Sequence, residues 1–600
     1  MQHEQFSIKV DLPQETPTKI NVSDFGAKSE KGFCNTDAFN KAIDAVRQLG
    51  GGTVIVPKGI YHFYSAPENR HIPIEHIKDL TIDGQDSTFI FHTPVAYFTL
   101  RDAERIRLTS FTMDWAWDEN KLSSVGVVKR ISEDRTEMDI AFLGSDPPKE
   151  GFDIRIVGPF DPKRYTPGVE DGVEFRPYVN KHIKYTGDPV EDEKMRKLVR
   201  ELDQIFVDKP IRINDRLYRF YLKDPKLAKR IFKIGQCYNF RHFEYDGVAV
   251  LGRECSHITF DKLTIHGCPG HGFLLNGFVS HLHFNNCRIM PKPGTDRSVS
   301  VSVDCLHVGN SNGNILIENC DFSGAGDDCI NLHDNSSMGV RRVDDNSLIA
   351  LRCTKENLQY RIGSIIEFRN SDLSPMNYKS EVIDCAYNES ERTCQLTFKD
   401  PLPEILPNDT VLFHRSFGTD RYIIRNCRFT NNRARGILLQ GSYGLVENNI
   451  FENIQGAAIQ IETGCESRWS EGQGVHDLTI RNNVIRHCDL NAWQMAVLYM
   501  GVYLPGGRTD YPVFTNIEVC DNTFVDCPRL AAFFSSCSEV EMHDNAIINS
   551  AQLDYTQNTY GSSNMEEPIY GERYEGVIQF MYAKNCKEYD NLIVNYCDKN

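Results

Sequence analysis

The amino-acid sequence predicts an all-β solenoid, in which short parallel strands wind into stacked coils. Three observations carry this expectation. Segments such as ITFDKLTI, LHFNNCRI, ILIENCDF, YIIRNCRF, LTIRNNVI and VEMHDNAI share one template of apolar residues, a polar pair often ending in Asn or Cys, and apolar residues again. The landmark of that template falls at Leu263, Cys287, Cys320, Cys427, Asn449, Asn483, Asn522, Asn545 and Asn591, with gaps of 24 (263 to 287), 22 (427 to 449), 23 (522 to 545) and 46 (545 to 591), the last being two coils. Self-similarity at such a period marks a solenoid. Third, the N-terminal unit has the form needed to cover the open end of one.

That unit runs from Ile20 to Tyr64. Thr36 is the expected cap of a helix whose Phe39, Ala42, Ile43 and Val46 share a face, and Gly50 to Gly52 end it before a buried strand at Val54 to Val56. A helix followed by GGGTVIVPKGIY resembles the opening of right-handed parallel β-helix proteins of the pectinase type, which implies that fold with a capping helix, pectin-lyase-like overall. An uncapped end would expose unpaired strand edges. Ile77 to Phe91 and Arg105 to Trp117 are the expected early coils. The pattern breaks from Leu122 to Tyr238, where an inserted, mainly β subdomain with a helix around Glu191 to Phe206 is expected. A second, barrel-like β insertion is expected between Val340 and Phe413, from alternating stretches such as SLIALRC and RTCQLTF. The expected divisions are therefore residues 20–121, 122–238, 239–339, 340–415 and 416–600.

Repeated Asn and Cys have a structural explanation, since an Asn side chain can bond its counterpart one coil away and a column of thiols packs well. The acids of VSVDCLHVGNSNGNILIENCDFSGAGDDCINLHD stand apart from it. Eight residues past the landmarks come His271, Asp328, Arg435 and Ala457, and Asp304 joins the same column if most of PKPGTDRSV is a loop. Coils lie about 4.8 Å apart. Asp304, Asp327 and Asp328 are then near neighbours, which raises at least one pKa while nearby cations favour ionisation of another. A proton donor and a proton acceptor side by side are what glycosidic hydrolysis needs. Five residues further along lie Asn276, Gly309, His333, Gln440 and Glu462, and with Asn331, Glu466 and Trp469 they are candidates to hydrogen-bond and stack on a sugar.

Composition narrows the partners. The 600 residues are 40% hydrophobic and 25% charged, with a formal net charge of -17, which argues against a nucleic-acid backbone as partner. No apolar run approaches the ~20 residues that span a bilayer, and MQHEQFSIKVDLP has no basic region followed by an apolar segment. A soluble protein is expected, either cytoplasmic or with a signal removed. Nineteen cysteines without CxxC pairs make a poor disulfide framework, so buried thiols are expected. His266, Cys268 and His271 lack standard zinc spacing, there is no P-loop or GxSxG turn, and calcium on the acidic cluster is the more serious metal alternative. No metal and no cofactor are the expectation.

At GAGDDCINLHD, and with SVDCLHV and INVSDFGAKSEKGFCNTDAFNKAI, the sequence resembles glycoside hydrolase family 110, the bacterial α-1,3-galactosidases. The resemblance covers most of the chain. It implies an inverting, exo-acting glycosidase that removes terminal α-1,3-linked galactose from blood group B type glycans and, in one subgroup, from linear ones. It also implies a secreted or periplasmic location. It places the family's three acids on Asp304, Asp327 and Asp328, with Asp327 the expected general acid and Asp304 and Asp328 activating the water. A family 28 polygalacturonase is the nearest rival, but here GHG (Gly270 to Gly272) precedes the aspartates and RGILLQG stands where that family has RIK. A non-catalytic, glycan-binding β-helix and a calcium-dependent lyase complete the alternatives.

Overall fold

A computed structural model describes residues 6–144, 147–167, 174–175, 205–465, 470–490, 496–551 and 576–595. Parallel strands pair coil upon coil into a β-helix with three faces. One coil shows the plan: His271–Asn276 on the first face, Ser280–Asn285 on the second and Arg288–Ile289 on the third. The next coil stacks Leu306–Gly309, Ile315–Glu318 and Asp321–Ser323 on them in register.

The sequence template now has a backbone cause. The polar pair is the corner between the second and third faces. Its first member takes positive φ, at Asn286 (53°), Asn319 (58°), Asn426 (55°), Asn448 (57°), Asn482 (56°), Asp521 (55°) and Asp544 (54°). Asn and Asp tolerate that left-handed conformation better than other residues with a Cβ. Its second member turns inward. Cys287, Cys320 and Cys427 pack there in the core, and the Asn residues form a ladder. Asn483 Oδ1 accepts from the Asn449 backbone N–H and Nδ2, both at 3.0 Å, and Asn522 Oδ1 accepts from the same groups of Asn483 at 3.0 and 2.9 Å. Asn545 and Asn591 continue it. The eighteen described cysteines are all free, and most are buried.

The helix Thr36–Gln48 lays Phe39 edge-on to Tyr61, Phe63 and Phe89, with centroids at 5.7, 5.1 and 5.4 Å, and so covers the first coils. Its cap differs from expectation. Asn35 holds the N-cap position, and Thr36 opens the helix with its hydroxyl donating to Ser65 O at 2.8 Å. Asn35 is drawn aside because its amide bonds backbone atoms of Lys28 and His62.

Two antiparallel sheets interrupt the winding. Among the described residues, seven strands from Ser123–Ile131 to Cys237–Arg241 surround a core that includes Met138, Phe142, Tyr218 and Phe240. Most of the helix expected around Glu191 to Phe206 lies outside the described residues; Phe206 itself bridges Leu222. Seven more strands from Ser336–Met338 to Val411–His414 enclose Leu348, Ile366, Phe368, Val382 and Leu396. The coils resume in register after each, because Ala96 pairs with Val248 and Ile315 with Tyr422. Both insertions flank the first face, where the acids lie.

The ladder makes a testable claim about stability. Asn483→Ala removes the acceptor of two buried Asn449 donors and leaves Val446 O without its side-chain donor. At about 1–3 kcal/mol per stranded buried group, urea titration should show a loss of roughly 2–4 kcal/mol. An unchanged midpoint would mean that the ladder is ornamental.

Candidate active site

Backbone bonds across the coils fix one column: Gly272 N–H to Asp304 O (2.9 Å), Cys305 N–H to Asp328 O (3.0 Å), Cys329 N–H to Arg435 O (3.2 Å) and Gly436 N–H to Ala457 O (3.0 Å). His271, Asp304, Asp328, Arg435 and Ala457 therefore stack as counted from the sequence. Oxygens of Asp304, Asp327 and Asp328 lie within 4.8 Å of one another. Gly326 permits this. A Cβ there would lie 2.1 Å from Ser302 O, so only glycine lets the turn carrying Asp327 and Asp328 lie against the preceding coil.

The three acids differ in their surroundings. Asp304 is 4% exposed. Its Oδ2 accepts from His307 Nδ1 at 2.7 Å and its Oδ1 from the Asp328 N–H at 2.9 Å. Burial pushes its pKa up, but the His307 bond and charge, His271 and the amide outweigh that, and the carboxyl is held below its ordinary value. His307 is the reciprocal case. Burial disfavours its charge, yet Asp304 wins and its pKa rises. His307 Nε2 lies 2.7 Å from His333 Nε2. Burial pushes His333 down to about 4, so His307 is the donor and neutral His333 the acceptor.

Asp327 and Asp328 go the other way. Burial raises Asp327, with Arg433 opposing and Asp304 adding. Burial also raises Asp328 well above the usual range, against Arg435. Arg433 Nη1 reaches Asp327 Oδ1 at 3.0 Å, and Arg435 reaches Asp328 Oδ1 through its N–H at 3.1 Å and through Nη1 at 3.3 Å. Only Asp327 shows substantial exposure, 29% of its side chain against 6% and 3% for Asp304 and Asp328. One charged acid and two inclined to hold protons follow from burial and from which cation each one meets.

The other expected site residues divide. His271 lies 3.8 Å from Asp304 and is pushed down to about 4 by burial. Asn331 and His333 are buried, and Asn331 Oδ1 and His333 Nδ1 have no hydrogen-bond partner among the described residues. Arg435 is engaged with Asp328 and with Gln460 Oε1, and Glu462 accepts from Gln460. Both therefore support the acids from behind. Gln440 donates at 3.3 Å to Glu471 Oε2, which lies 3.9 Å from His333 Nδ1. Glu466 and Trp469 lie outside the described residues. His266, Cys268 and His271, whose spacing already argued against zinc, do not converge, because Cys268 faces the core and His266 bonds Met290 O. For a metal, the arrangement offers the three acids or His271, Asp304 and His307, where the guanidiniums of Arg433 and Arg435 compete with a cation at the acids.

Several residues escaped the sequence reading. His307 could have been found, because it is the register partner of Asn331 one coil earlier. Arg433 could not, since it precedes the counted column at a corner. Glu174, which pairs with Arg433, and Arg241, which donates to Ser302 O and Gly326 O at 3.1 and 2.6 Å, come from the first insertion. Tyr245, between the insertion's last strand Cys237–Arg241 and the β-helix strand that starts at Val248, is 65% exposed with its ring 5.6 Å from that of His271, a surface suited to a sugar face.

The Asp304–His307 pair predicts a stability signature. A lowered Asp contributes above its ordinary 3.8 and loses that as pH falls through its folded value; a raised His contributes below its ordinary 6.5 and loses that as pH rises through its folded value. The difference in unfolding free energy between wild type and His307→Asn should therefore be largest between those two values and shrink at alkaline pH. A difference that grows with alkalinity would contradict the pairing.

Residues 363–503 match the model of the right handed beta helix region. The chain is 24% identical over 574 residues to alpha-1,3-galactosidase A of Shewanella woodyi, covering 92% of this chain and 89% of that protein. It is 29% identical over 565 residues to alpha-1,3-galactosidase B of Bacteroides thetaiotaomicron, covering 88% and 86%. A solved family 28 exopolygalacturonase of Yersinia enterocolitica aligns with 96% of this chain and 79% of its own at a TM-score of 0.41 and 14% identity. Along nearly its whole length the chain is similar to bacterial alpha-1,3-galactosidases, and its fold is a right-handed β-helix.

Proposed function

We propose that the protein is an exo-acting α-1,3-galactosidase that removes terminal α-1,3-linked galactose from blood group B type and linear glycans, outside the cytoplasm. The observation that carries the chemistry is the opposed tuning of three acids within 4.8 Å, Asp304 held ionised and Asp327 and Asp328 pushed toward their protonated forms. Asp327, the most accessible, gives its proton to the glycosidic oxygen as the C1–O bond breaks, and solvent restores it. Asp304 takes a proton from the water whose oxygen bonds C1. Asp328, first read with Asp304 as a base, is better suited to hold the neighbouring charges in place, because its own pKa is driven up. Asn331, His333, His271 and Tyr245 supply polar contacts and a ring for the terminal sugar.

Single displacement delivers β-galactose. The acids stand closer than the roughly 6.5–9.5 Å common between the carboxyl groups of inverting enzymes, so the anomer is the decisive readout. Arg433 and Arg435 are already paired with carboxylates, which disfavours a galacturonate substrate.

Proton NMR of Gal-α-1,3-Gal and of the fucosylated B trisaccharide, with EDTA present, should show β-galactose appearing first. Asp327→Asn should lower kcat by about 10²–10⁴-fold, the range for a positioned acid. First release of α-galactose would replace inversion with double displacement, and chelator sensitivity would favour a metal. Intact glycans with retained binding would leave a glycan-binding β-helix, and turnover of polygalacturonate alone would favour the rival hydrolase.

A further inference from the structure

A cavity lies where the second inserted sheet meets the β-helix, and Asp304, Asp327 and Asp328 are not among its lining residues. Its volume is about 320 Å³, within the range of roughly 300–1,000 Å³ for small-molecule sites. Strand register explains its placement. Gln440 follows the strand Ile437–Leu439 on the first face, and Thr515 lies on the second-face strand Phe514–Cys520. Phe413 and Arg415 come from the end of the inserted sheet.

The lining mixes three kinds of group. Glu367 accepts from Arg369 Nη2 and Arg415 Nε, each at 2.6 Å, and Arg415 Nη1 donates to Gln473 Oε1 at 3.1 Å. Asp334 and Asp420 add acceptors, and burial with the Asp420 charge pushes Asp334 up to about 7. Phe413, Phe417 and Tyr511 add aromatic surface, with Phe413 between the two guanidiniums at 5.4 and 5.0 Å. Gln440 is 1% exposed, and its Oε1 has no hydrogen-bond partner among the described residues; the same holds for the buried Nε of Arg369. Buried polar atoms are ordinarily partnered.

Both arginines are committed to Glu367, so an anionic ligand gains little here. A ligand with many hydroxyls and an apolar face uses donors, acceptors and rings together. We propose that this cavity is a second, non-catalytic binding site for one neutral sugar unit. It goes beyond the hydrolase reading and stands without it.

Calorimetric titration of Asp327→Asn protein with D-galactose, N-acetyl-D-glucosamine and L-fucose tests it in the absence of turnover. At least one sugar should bind, and Thr515→Trp, which fills the cavity from its rim, should weaken that binding at least tenfold. Arg369→Met should do the same if Thr515→Trp misfolds by circular dichroism. In an otherwise wild-type background, Thr515→Trp should leave hydrolysis of a small α-galactoside unchanged. Binding indifferent to both substitutions, no sugar binding, or preference for galacturonate or inorganic phosphate would overturn the proposal. Failure of the hydrolase reading would instead appear as absent galactose release with the Thr515-sensitive binding intact.

Discussion

Three acids, two buried and one partly exposed, lie within 4.8 Å of one another, and the site depends on how burial and neighbouring cations divide charge among them. His307 takes Asp304, Arg433 takes Asp327 and Arg435 takes Asp328. Each cation has its own support: His333 beyond His307, Glu174 beyond Arg433, and Gln460 with Glu462 beyond Arg435. Removing one member of such a buried set leaves an uncompensated charge, which costs more than the pair itself contributes.

The solenoid sets the separations. Coils in parallel register bring residues 24 and 107 positions apart in sequence, Asp304 with Asp328 and Asp328 with Arg435, into hydrogen-bond contact. Corners with left-handed Asn or Asp hold the register, and the inward Asn ladder locks successive coils together. A one-residue slip would turn the acids toward the core and the apolar strand residues outward, so the same ladder that stabilises the coils also aims the three acids.

The insertions turn a column of side chains into a site with walls. From the first, Arg241 bonds Gly326 O beside the acids and Glu174 pairs with Arg433, which holds Asp327. The second holds Asn276 through Gln359 and walls the cavity beyond Gln440. A β-helix face by itself is shallow, and substrate selection of the kind proposed needs enclosure on more than one side.

The sequence by itself determined the winding, the capping helix and the column of His271, Asp304, Asp328 and Arg435, because one strand template recurs and a period-two strand leaves no freedom over which side chains share a face. Asn331 was named from the sequence as a candidate, and His307 is its register partner one coil earlier. Only the tertiary structure decided in which direction each acid's pKa moves, since that depends on burial and on cations from distant segments: Arg433 at a corner outside the repeat column, and Arg241 and Glu174 from an insertion with no repeat to place it. The N-cap at Asn35 was settled in the same way, because backbone contacts from Lys28 and His62 compete for its side chain and local propensity does not record them.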